Sequence, residues 1–180
     1  MRQTYIPQPI KTPRLLIRPF LDSDAEAAFA AWLGDPEVMR FTPGGPDKSV
    51  ETTRKRLAMY RQHQDSQGFS KWMVLDQASG AAIGDSGLLS LDSAGRVDLN
   101  LRLARAHWGR GLGTEVVLAW SRVAFEDLGL ERLTAFAHSE NHGLCRVLEK
   151  SGFRAEGAAT LMEMQALAFV LEAEAFRMRA

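Results

Sequence analysis

The middle of the chain changes its period. Residues 69–75, 82–91 and 97–103 are short apolar runs. They are separated by Ala78-Ser79-Gly80 and Asp92-Ser93-Ala94-Gly95, both rich in turn formers. Runs of this length between turn signals read as strands, and so little chain between them allows only antiparallel neighbours. In the third run Leu99, Leu101 and Leu103 alternate with Asp98, Asn100 and Arg102, the pattern of a half-buried strand. A three-stranded antiparallel meander therefore fixes the centre of the fold.

The flanks read as further strands and as helices. Residues 14–20 (RLLIRPF) read as a first strand. Asp22 suits the cap of a helix over 23–33, closed by Gly34 and Pro36. A short element is expected near 38–41, then a loop at TPGGP (42–46), then a helix over 50–64 capped by Ser49. After the meander, HWGRGLGTE (107–115) places glycines at 109, 111 and 113 just before a helix over 114–128. Val116, Val117, Trp120, Val123, Ala124 and Leu128 share one face of that helix, and Gly129 suits its C-cap. Residues 133–137 read as a strand, and Asn141 opens a short helix that Gly152 stops. Residues 167–176 fit either a strand or a helix, and a final strand pair is preferred. The order βααβββαβαββ gives an α/β (α+β) fold: one mixed, mostly antiparallel sheet flanked by helices.

The 180 residues suit one domain, with 1–12 read as an N-terminal tail and 13–180 as the domain. A chain of this length buries roughly two-thirds of its unfolded surface and needs no covalent staples. Lys plus Arg and Asp plus Glu both total 22, which argues against a general nucleic-acid binder. The single cysteine, Cys145, excludes an internal disulfide. The first residues, MRQTYIPQPIK, lack the apolar core of a signal peptide, and no stretch approaches the ~18 apolar residues of a membrane span. The expectation is a cytoplasmic protein with no membrane partner.

A strand, a glycine-rich turn and a helix N-terminus together make an anion site. The first helical N–H groups have no partner, and the helix dipole adds partial positive charge. The N–H groups of Arg110, Gly111, Leu112, Gly113 and Thr114 would face the anion, with Arg105 and Arg110 adding charge. A bare connecting turn is the competing reading. The segment is neither a P-loop, which needs Gly-Lys-Ser/Thr, nor G-x-G-x-x-G, since its third glycine falls one place early.

The element order, with W-G-R-G-L-G between strand and helix, resembles the GNAT N-acetyltransferase superfamily. Gly111 and Gly113 match the glycines of its acyl-CoA motif. Trp108 followed by Gly109 resembles the Rim-type branch, which acetylates ribosomal-protein N-termini. TPRLLIRPF (12–20), DPEVMRF (35–41) and NHGLCRVLEKSGF (141–153) match the same branch in order and spacing. The resemblance implies acetyl-CoA as cosubstrate, its pyrophosphate at the loop from Trp108 to Thr114. Its pantetheine arm would lie on the open edge of the strand over 97–103, against the backbone of Leu101 and Leu103. Asn141 matches the residue that bonds the arm from the other side, and it also reads as a plain helix cap. A homodimer is left open.

Amine acetylation needs a base, a polarised carbonyl and a leaving thiolate. Asp98 stands where relatives carry Glu in an E-L-G-Y-like segment and is the candidate base; its bland reading is an exposed acid on a polar strand face. Asp85 is a weaker candidate. Relatives place a Tyr after the Asn or, in the Rim-type, a Ser three residues on, but that position is Leu144. Ser139, His142 and Cys145 stand nearby. His138 and His142 are four apart, yet they straddle a strand end and miss H-E-x-x-H, so no metal is expected. The resemblance implies transfer to a primary amine, on a protein N-terminus or a small molecule. The acceptor would meet Arg40, the TPGGP loop and the C-terminal hairpin. A non-catalytic acyl-CoA-binding module is the alternative.

Overall fold

The computed structural model describes residues 6–179. One eight-stranded sheet has the order β1-β2-β3-β4-β5-β6-β8-β7. Its strands are β1 (Ile10–Lys11), β2 (Leu15–Arg18), β3 (Lys71–Asp76), β4 (Ala82–Ser90), β5 (Val97–Leu103), β6 (Arg132–His138), β7 (Arg154–Leu161) and β8 (Met164–Glu172). The meander is β3-β4-β5. Only β5 and β6 run parallel, as the helical crossover between them requires.

The helices are α1 (Ala25–Ala28), α2 (Val50–Gln67), α3 (Leu112–Arg122), α4 (His142–Lys150) and α5 (Ala173–Arg179). A 3-10 turn leads into α1, and π-helical segments Phe29–Leu33 and Val123–Asp127 extend α1 and α3. Ser49 caps α2, its hydroxyl accepting the Thr52 N–H. The expected mixed sheet is present, with differences at its ends. Within the stretch read as a tail, Ile6 is buried and Ile10–Lys11 pair with β2. The element expected near 38–41 is instead a series of turns. Met39 N–H bonds to Asp35, Thr42 to Met39 and Gly45 to Thr42, so the backbone is satisfied locally. The ambiguous C-terminal run divides: β8 ends at Glu172 and α5 begins at Ala173.

Both faces of the sheet are covered. On one face α3 and α4 bury Val116, Val117, Trp120 and Leu148 with Leu99, Leu103, Leu133 and Ala135. Trp72 and Trp120 meet edge to face at 5.1 Å. On the other face α1 and α2 bury Trp32, Leu33, Met39 and Leu57 with Met73. The alternation in β5 therefore does not separate core from solvent. Its polar side chains lie under α1 and α2, and Asp98 is only 7% exposed, which corrects its reading as an exposed acid.

Charges on this covered face are paired. Asp85 is fully buried between Lys71 Nζ at 2.8 Å and Arg102 Nη2 at 3.0 Å. Trp32 Nε1 donates to the same carboxylate at 2.6 Å, and Arg102 Nη2 donates to the Tyr60 hydroxyl at 2.8 Å. Burial pushes the Asp85 carboxyl up, but Arg102 and Lys71 outweigh it and hold it at about 2. This carboxylate therefore contributes stability above its ordinary value of 3.8 and loses it as pH falls towards about 2. Removing one member of such a set leaves the others charged and dry. Asp85→Ala is expected to cost about 3–5 kcal/mol and to lower Tm by roughly 10 °C, read by scanning calorimetry at pH 7. An unchanged Tm would mean that Lys71 and Arg102 do not need Asp85.

Candidate active site

β5 and β6 pair over only two positions, Asp98↔Thr134 and Leu99↔Ala135, and then part. Ala104 N–H bonds to Ile83 on β4, so the even-numbered residues of β5 turn their backbone groups to β4. Leu101 and Leu103 consequently turn theirs into the gap. The expected edge is thus open, with one difference. Trp108 Nε1 donates to the Leu103 carbonyl at 2.6 Å, leaving the Leu103 N–H and both backbone groups of Leu101 facing the gap.

The glycine turn lies at the end of this edge. Gly109 (φ 71°) and Gly111 (φ 76°) take a left-handed backbone that other residues adopt only at a cost. Gly111 caps α3, so the N–H groups of Leu112, Gly113 and Thr114 lack helical partners. A Cβ at Gly109 would meet nothing within 4 Å. Gly113 differs: a Cβ there would lie 3.1 Å from Val147 Cγ2 and 3.3 Å from Leu101 Cδ2. The close approach at Gly113 is between α3, α4 and β5, independent of any ligand. These features fit a phosphate group at the turn: bare backbone, free donors, and the Arg110 side chain alongside. Asn141 caps α4, its Oδ1 accepting the Leu144 N–H at 3.2 Å. Its side-chain amide N–H groups remain as donors.

On the α1/α2 side the gap has two walls. Asp98, Asn100 and Arg102 line β5, and Thr134, Phe136 and His138 share that face on β6 by the register of the pair. Asp98 Oδ2 accepts from Asn100 Nδ2 at 2.7 Å, and Asp98 Oδ1 is buried with no partner. Burial pushes the Asp98 carboxyl up to about 7, against the opposing pull of the Asn100 amide and the Lys71 ammonium. A carboxyl there exchanges its proton near neutral pH. His138 stacks on Phe41 at 4.8 Å, so the α1–α2 connection lies across the end of β6. Arg40 stands over Phe41 at 5.1 Å.

Other candidates fall apart from this centre or lack donors. Asp85 is locked in its ion pairs. Leu144 packs against the core and offers no proton. Cys145 is half-buried on α4, and burial pushes its thiol up. His138 Nδ1 accepts from Glu140 N–H at 3.1 Å. Sequence reasoning missed the Phe41–His138 stack and a clamp under the glycine turn, in which Arg14 bonds Glu115 and the Arg110 carbonyl. The only signal for the clamp was that Arg14 belongs to TPRLLIRPF.

The profile of the acetyltransferase (GNAT) domain matches residues 14–154. The uncharacterised N-acetyltransferase YoaA of Bacillus subtilis is 29% identical over 150 residues, covering 82% of this chain and 84% of its own. The uncharacterised N-acetyltransferase p20 of Bacillus licheniformis is 27% identical over 147 residues, covering 81% and 82%. A GNAT-family acetyltransferase structure from Bacillus anthracis superposes with a TM-score of 0.82 at 22% identity, covering 93% and 99%. A structure from Vibrio cholerae, named as a proposed ribosomal-protein-serine acetyltransferase, gives 0.77 at 16% identity, covering 91% and 97%. At these identities the structural likenesses speak for the fold.

The crowding at Gly113 has a measurable consequence. Gly113→Ala is expected to cost about 1–3 kcal/mol through overpacking. Val147→Ala removes the two Val147 methyls that the new Cβ would meet and leaves Leu101 Cδ2 at 3.3 Å, so the double variant should recover part of that loss. A double-mutant cycle of urea-unfolding free energies checks this, and strict additivity would show that α3 and α4 shift freely.

Proposed function

Because this chain belongs to the GNAT acetyltransferase family, which implies acyl transfer from acetyl-CoA, we propose that it is an N-acetyltransferase whose acceptor is a primary amine. The observation that carries this reading is Asp98: a buried carboxyl with an unpartnered oxygen, held near neutral pH, at the paired end of β5 and β6, just before the two strands part beyond Leu99. The acceptor is a protein N-terminus or a small-molecule amine. The Rim-type reading rests on Trp108-Gly109, TPRLLIRPF and NHGLCRVLEKSGF.

The donor half is mostly backbone. The N–H groups from Arg110 to Thr114, with the bare turn at Gly109 and Gly111, would hold the pyrophosphate. The Leu101 N–H and C=O and the Leu103 N–H would bond the pantetheine amides, as an added strand does. Trp108 keeps the turn tied to the edge, and Asn141 reaches from α4. Bound acetyl-CoA supplies an activated acyl group and a thiol that leaves tolerably without an acid, an ordinary thiol having a pKa near ~8.5.

The acceptor half is side chain. The Asp98 carboxylate would take a proton from the incoming ammonium, directly or through water, and the amine becomes a nucleophile. The Lys71 ammonium pulls on Asp98 and burial outweighs it, which keeps the carboxyl near neutral pH. Arg40, Phe41 and the Gly44-Gly45 turn stand where an acceptor would enter.

Acetyl-CoA binding by calorimetry and thiol release over a panel of amines test the assignment. Asp98→Asn should lower kcat by about 10²–10⁴-fold while leaving the Kd for acetyl-CoA nearly unchanged. Wild-type turnover should rise as pH passes about 7. The folded pKa of Asp98 exceeds its ordinary 3.8, so this group costs stability once pH rises through that window. Asp98→Asn should therefore raise Tm at pH 8, by about 2–4 °C for each kcal/mol recovered. Acetyl-CoA binding with no thiol release from any amine would favour a non-catalytic binding module, the reading that Leu144 at the donor position prompts.

A further inference from the structure

The turn that carries Gly109 and Gly111 is tied to β5 at its start by the Trp108 side chain, and its glycines offer no side chain to hold the rest. Its shape is imposed from below, by residues at the start of the domain. Arg14 Nη1 donates to the Arg110 carbonyl at 2.8 Å. Arg14 Nε donates to Glu115 Oε2 at 2.7 Å, and the Arg14 backbone N–H donates to Glu115 Oε1 at 2.9 Å. Thr12 Oγ1 donates to the same Oε1 at 2.5 Å. A Cβ at Gly111 would lie 3.5 Å from Arg14 Nη2, so the guanidinium sits directly against the turn.

Two consequences follow. In a trans peptide the C=O and the next N–H point in opposite directions. Holding the Arg110 carbonyl towards Arg14 therefore aims the Gly111 N–H away from the guanidinium. Second, Glu115 is on the first turn of α3, where its charge would repel any anion at the helix start. Arg14 and Thr12 together occupy both of its oxygens. The clamp thus orients a donor and neutralises a competitor at once.

We infer that Arg14 is a positioning residue for the acyl donor: through the Arg110 carbonyl and Glu115 it sets the glycine turn to receive the donor's pyrophosphate. The inference rests on the acetyl-CoA reading above. Arg14 itself is half-exposed, at 49%, and an ion pair of that exposure adds little to folding. The bonds of its side chain go to Glu115 and the Arg110 carbonyl, and none goes to the Leu101 or Leu103 backbone groups assigned to the pantetheine arm. Its loss should therefore be felt by a donor that has a pyrophosphate and not by one that lacks it.

The test compares acetyl-CoA with S-acetylpantetheine, both titrated by NMR, in wild type, Arg14→Ala and Arg14→Lys. For acetyl-CoA the Kd should rise about tenfold in Arg14→Ala, the equivalent of one charge-assisted hydrogen bond. For S-acetylpantetheine it should change less than about twofold, well within that factor. Arg14→Lys keeps the charge but cannot reach Glu115 and the Arg110 carbonyl with one fork, so it should fall between. It carries the same comparison if Arg14→Ala does not fold. Equal weakening of both donors, or none for acetyl-CoA, would overturn the inference. Tight acetyl-CoA binding in wild type keeps those failures separate from the parent reading. A wild type that binds no acetyl-CoA would overturn both.

Discussion

Everything that gives this domain a site depends on the short pairing of β5 with β6. On either side of it the sheet closes its backbone hydrogen bonds over long registers, seven positions for β4 with β5 and seven for β6 with β8. Between β5 and β6 it closes two. A backbone donor left unpaired inside a protein costs about as much as a lost hydrogen bond. The domain tolerates this at Leu101 and Leu103 because the gap opens outward, and Trp108 caps one of the freed carbonyls. The parting also gives the gap two unlike sides. The glycine turn and the starts of α3 and α4 stand on one, and Asp98 with the α1–α2 connection stands on the other.

Burial on both faces then sets the chemistry. An acid on an exposed strand would stay ionised and well solvated. Under α1 and α2, Asp98 is held near its point of half-ionisation, and Asp85 on the neighbouring strand β4 is held ionised. Two aspartates on adjacent strands thus behave oppositely. Asp85 touches Lys71 and Arg102, whereas Asp98 touches only an uncharged amide and keeps one oxygen bare.

Much of this was legible in the residues, where the cause is local. Turn formers mark the meander, the apolar face from Val116 to Ala124 marks α3, and Asn141 caps α4 as its residue type suggests. The glycines at 109 and 111 mark a left-handed turn. What was not legible depends on partners far along the chain. Strand alternation tells which side chains share a face but not whether a second layer covers them, so an exposed acid stood open as the competing reading of Asp98. Arg14 and Glu115 are 101 residues apart and leave no periodic trace. Gly113 looked like its two neighbours, yet its reason is Val147 and Leu101. Near 38–41, apolar residues suggested a regular element, but successive turns supply the same hydrogen bonds.

The edge proposed to hold the acyl donor is made of main chain, and this bears on how the domain can change over time. Short of proline, no side-chain substitution on β5 deletes the N–H of Leu101 or of Leu103. The opposite wall is built from Asp98, Phe41, His138 and Arg40, each of which one substitution can replace. A lineage carrying this fold is therefore free to drift in what it accepts while inheriting what it donates, because the two obligations are written in different parts of the polymer.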